Sequence, residues 1–166
     1  MTETTLDSKT DMIVRWQSEK RDWFNKYSTT ATVAFELFAS QLVSRAEQLN
    51  GELAELQKNG KLPRKIQIDT ELASKKHGGG LLIFDRVQLD YQLDLLSEPP
   101  ELQLKFHWPG KRTGGPDLRL VPNMVPEEQG YRIVWRAEFS DRVFETADSL
   151  VDFCMRELTT VTTQLR

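Results

Sequence analysis

The sequence predicts an α+β domain. Two N-terminal helices, the second long and heptad-patterned, precede an antiparallel β-meander of four to five strands and a C-terminal helix packed on one face of the sheet. Three patterns carry that expectation. Phe35, Leu42, Leu49 and Leu56 recur every seven residues, with Ala39, Ala46 and Leu53 recurring beside them, which keeps one apolar seam in line along a long helix. Val87 to Leu95 alternates strictly between apolar and polar residues, and the alternation resumes from Leu102 to Trp108, as in two strands with one wet face. Leu150, Cys154 and Leu158 stand at i, i+4 and i+8, the stripe of an amphipathic helix.

Residues 1–9 are polar and lack an apolar cluster, so they are expected to form a disordered tail, with a single domain over 10–166. Ser8, Thr10 and Asp11 offer N-caps for a first helix from about 11 to 27, whose apolar face carries Met12, Ile13, Trp16, Trp23, Phe24 and Tyr27. Ser28 to Thr30 read as a turn that caps the second helix, from about 31 to 58, and Gly60 and Pro63 mark its end. Asn50-Gly51 is a turn-prone pair inside that helix, where glycine costs roughly 1 kcal/mol. The heptad nonetheless holds its phase across it.

Lys65 to Asp69 can supply an edge strand, and the two alternating segments form a hairpin around Ser97-Glu98-Pro99-Pro100. Pairing Leu95 with Leu102 would set Asp90 opposite His107 on the exposed face. That pair resembles an acid–base dyad in residue type, yet an open sheet face excludes no water, and a solvated cross-strand contact is the expected role. Pro109 to Pro116 reads as a loop, Leu118 and Leu120 as a short strand, and Pro122 to Gly130 as a further turn-rich segment. Tyr131, Ile133, Trp135, Ala137 and Phe139 then alternate with Arg132, Val134, Arg136 and Glu138 along another strand. Thr146 or Asp141 is placed to cap the last helix, which continues through Val161 and Leu165. Trp16, Trp23, Trp108 and Trp135 all fall at inward positions and are expected in the core.

Composition narrows the function classes. The chain has 166 residues, 39% apolar and 28% charged, enough for one domain with a real core. The longest unbroken apolar run, Leu81 to Phe84, is far short of the roughly 20 residues a bilayer requires, and the N-terminal residues do not read as a signal peptide. A cytoplasmic location is expected. Cys154, the single cysteine, excludes an intrachain disulfide and suits a buried structural role. His77 and His107 are the only histidines and lie in no metal-ligand spacing, so neither a metal nor another cofactor is expected.

The net charge of −3 disfavours a nucleic-acid partner, although positive charge gathers in two glycine-rich loops. Ser74 to Gly80 precedes a strand, whereas phosphate loops open a helix, so the order is wrong for a nucleotide fold. A weaker anion site remains conceivable if Lys75, Lys76 and His77 meet Lys111 and Arg112, since glycine lets backbone amides approach an anion. No nucleophile stands in a catalytic motif.

These observations favour a non-enzymatic protein-interaction or assembly module. It is expected to form a homodimer, or to dock a partner helix, through the seam of Phe35, Leu42, Leu49, Leu53 and Leu56. The alternative is a binder of a small molecule or phosphate ligand, an enzyme in one version, built on the two basic glycine-rich loops.

Overall fold

The computed structural model describes residues 2–62, 65–73, 78–97, 100–108, 116–138 and 140–164. One helix, α1 (Thr2–Lys58), is followed by a seven-stranded sheet and a second helix, α2 (Ala147–Gln164). The strands are β1 (Ile68–Asp69), β2 (Gly79–Phe84), β3 (Val87–Asp94), β4 (Glu101–His107), β5 (Asp117–Glu127), β6 (Gly130–Ala137) and β7 (Val143–Phe144). They lie in sequence order, each antiparallel to the next. Both edge strands are two residues long, which leaves little unpaired backbone to template association.

The two N-terminal helices expected from sequence are therefore one, and its backbone also runs through the segment read as a tail, from Thr2. Ser28 to Thr30 make no turn. Thr29, Thr30 and Thr32 each donate a hydroxyl to the carbonyl four residues back, on Asn25, Lys26 and Ser28, at 2.8 Å. Those bonds absorb the side-chain donors that would otherwise compete with the helix, and neither proline nor glycine stands nearby to break it. Asn50-Gly51 does not interrupt it either. The Asn50 amide accepts from Ile68 N at 2.6 Å and donates to Ile68 O at 2.9 Å, holding β1 as a neighbouring strand would. The helix stops where glycine predicts: Gly60 takes φ 74°, Gly60 N donates to Gln57 O and Lys61 N to Leu56 O, a Schellman ending.

Seven strands replace the expected four to five. β2 was hidden because Gly79 and Gly80 read as loop residues. A Cβ on Gly79 would lie 2.6 Å from Tyr91 O, and one on Gly80 would overlap Ala73 O, so only glycine lets β2 pass this close to its neighbours. Tyr91 Oη donates to the same Ala73 O at 2.6 Å. β7 is too short to show a period. β5 runs straight through the segment read as turns. Arg119 O accepts from Glu138 N on the β6 side, and Pro116 O accepts from Phe106 N on the β4 side. By that alternation, Pro122 and Pro126 aim their nitrogens toward β4, whose pairing with β5 ends at Leu102–Leu120, so the missing N–H groups cost no ladder bond.

The hairpin register also differs from expectation by two residues. Leu93 pairs with Leu102, so Asp90 faces Lys105 and His107 faces Gln88. The Asp94 carboxylate sets the turn by accepting from Leu96 N at 2.9 Å and Ser97 Oγ at 2.8 Å, and these bonds lower its pKa. Asp90 and His107 consequently form no dyad.

Both helices cover one face of the sheet. Ala31, Phe35, Phe38, Leu42 and Ala46 of α1 are buried at steps of three and four, over a floor that includes Leu82, Leu89, Tyr91, Leu104 and Trp135, and Tyr27, one turn earlier, is buried as well. Thr146 caps α2, accepting from Ser149 N at 3.1 Å. Leu150, Val151, Cys154 and Leu158 then turn inward, and Phe153 meets Phe106 and Phe144 at centroid distances of 6.2 and 5.3 Å. Arg45 and Asp152 join the two helices at 2.7 Å across a partly exposed seam.

Candidate interaction surface

The heptad seam is divided by the fold. Phe35 and Leu42 belong to the protein's own core, Leu42 with no exposure at all. Leu49 and Leu53 pack against that core while half-covered, and Leu56 is exposed. The sheet and α2 thus cover the Phe35–Leu42 end of the seam.

Large apolar side chains are left uncovered toward the N-terminal end of α1 and again at Val33 and Leu37. At 100° per residue from Trp16, Met12 and Trp23 fall at about −40° and −20°, whereas Ala31, Phe35, Phe38, Leu42 and Ala46 fall between about +40° and +120°, so the two tryptophans stand on a face roughly 100° round from the stripe buried against the sheet, with Tyr27 at its edge. Every residue from Lys9 to Trp23 is exposed: Met12 to 68%, Ile13 to 55%, Trp16 to 62% and Trp23 to 55%. Trp16 and Trp23 are therefore not core residues, whereas Trp135 is buried and Trp108 is packed against the core. Trp23 stacks on Tyr27 at 4.9 Å, and the Lys20 ammonium lies 5.6 Å from the Trp16 ring. The sequence contains the signal for this overhang. A helix so long carries an apolar stripe well past what one small sheet can cover.

Elsewhere the geometry offers little chemistry. An open groove of about 700 Å³ runs between α1 and the start of β2, lined by Phe35, Glu36, Ala39, Ser40, Val43 and Gly79 among others. Among the described residues, its lining brings no catalytic pair together. No group of three or more His, Cys, Asp or Glu side chains among the described residues is arranged to hold a metal ion. Cys154 is fully buried, and burial pushes its thiol pKa up, followed in effect by the Glu157 charge, which is the opposite of an activated nucleophile.

Lys75, Lys76, His77, Lys111 and Arg112, the possible anion ligands, lie outside the described residues. Their flanking residues leave the sheet at opposite ends: Gly78 bonds to Leu93, while His107 pairs with Gln88. At about 3.3 Å per residue those levels are roughly 17 Å apart along the strands.

No described helix is long and apolar enough to cross a membrane. Comparison with protein-family models, with curated proteins and with solved structures gives no match.

Proposed function

We propose that the protein is a non-enzymatic interaction or assembly module that presents the N-terminal part of α1 to another helix, supplied by a partner or by a second copy. One observation supports this reading above the others. An apolar face of α1 beside the stripe that closes the core is left uncovered at Met12, Ile13, Trp16 and Trp23. Large aromatic side chains held on a helix are the anchors of helix-in-groove recognition, because they bring much contact area for little lost rotamer freedom. A contiguous exposed patch of this kind is a common mark of an association site.

A photo-crosslinking amino acid at Trp16 tests the reading, with the same label at Arg119 on the open sheet face as control. Adducts are expected from position 16 and not from position 119. Their absence from both positions, in cells that express the protein, would remove the reading.

A further inference from the structure

We infer that the occupant of this uncovered face is the same face of a second copy, laid antiparallel about a two-fold axis passing near Glu19 and Lys20; this rests on the interaction reading above. Residues of the overhang match one another in reverse order. A pairing that sets Trp16 on the second copy's Trp23 also sets Met12 near its Tyr27. Viewed down α1 from Trp16, Ile13 and Phe24 border that face on one side, at about +60° and +80°. Arg15 and Asp22 border it on the other, at about −100° and −120°.

In an antiparallel pair related by such an axis, like flanks face each other. Ile13 then meets the second copy's Phe24 in an apolar contact, and Arg15 meets its Asp22 as opposite charges. A parallel pair would instead face Ile13 and Phe24 with charged residues.

The overhang from Lys9 to Lys26 is about 27 Å long, so pairing it buries on the order of 1,000 Å² in all, the lower end for a specific interface. Glu19 and Lys20 each meet their own copy at the axis, which weakens the pair.

Light scattering on the full chain at roughly 100 µM should give twice the chain mass, falling to the chain mass on dilution. Trp16→Ala with Trp23→Ala should weaken association at least tenfold while the monomer keeps a cooperative melting transition, because neither ring is in the core. Arg15→Asp should weaken it several-fold, and adding Asp22→Arg should restore it, which a folding defect would not do. On mild oxidation, Glu19→Cys should link to itself, whereas Ile13→Cys should link only when mixed with Phe24→Cys.

A monomer at every concentration, a dimer indifferent to both tryptophans, or self-linking of Ile13→Cys and Phe24→Cys alike would overturn the inference. A monomer whose position 16 crosslinks to a different protein overturns the second-copy assignment and leaves the interaction reading standing. A monomer with no adducts overturns both.

Discussion

Asn50 shows how one side chain can do the work of a strand. Its amide satisfies both backbone groups of Ile68 from a helix, so Asn50→Ala leaves a donor and an acceptor unpaired at the edge of the sheet. We expect a loss of about 1–3 kcal/mol in chemical denaturation, with β1 amides exchanging fastest. Tyr91 is buried and its phenol pKa is pushed up to about 12, chiefly by burial and secondarily by Cys154. The folded state then keeps a proton that the unfolded chain releases above pH 10. Stability from this group is complete below pH 10 and falls as pH rises from 10 to 12, and Tyr91→Phe should flatten that decline in a pH series of melting curves. Cys154→Ala should cost roughly 1–2 kcal/mol, and the native thiol should resist alkylation on the timescale of minutes.

At the scale of elements, continuity of α1 is the feature most open to a direct measurement. Spin labels at Gln17 and Glu36, on either side of Ser28 to Thr30, should lie about 28 Å apart along an unbroken helix. A helical hairpin would bring them much closer. Substituting Thr29 and Thr30 by alanine should leave that distance unchanged, whereas Thr29→Pro should shorten it, because proline removes a helix bond and clashes with the preceding turn. β5 illustrates the complementary point. Proline reads as a strand breaker until the strand's neighbours are known, and beside a β4 that has already ended it breaks nothing.

For the whole molecule, the division of α1 separates folding from association. Leu42 is in the core, so Leu42→Asp with Leu49→Asp should abolish the cooperative melting transition and not merely alter the mass of a folded species. Changes at Trp16 and Trp23 should do the reverse. Neutralising Lys75, Lys76, Lys111 and Arg112 together is expected to leave melting temperature unaltered with and without phosphate, since the described residues that flank them, Gly78 and His107, lie at opposite ends of the sheet.

Periodicity alone established a large share of this protein. Alternation in Val87 to Leu95 and Leu102 to Trp108 specifies two strands and their inward faces, because a strand's side chains change sides at every residue. The stripe of α2, its cap at Thr146 and the stop at Gly60 depend on contacts within a turn or two and are equally legible. What tertiary structure decided is where nonlocal partners change the meaning of a local signal. Gly79 and Gly80 look like a loop until Tyr91 and Ala73 press against them, and Asn50-Gly51 looks like a turn until Ile68 takes the amide. The heptad announced a buried seam without saying what buries it. The sheet and α2 cover Phe35 and Leu42 because they meet α1 there, and they stop short of Met12, Trp16 and Trp23 because a sheet of this width has no more surface to offer.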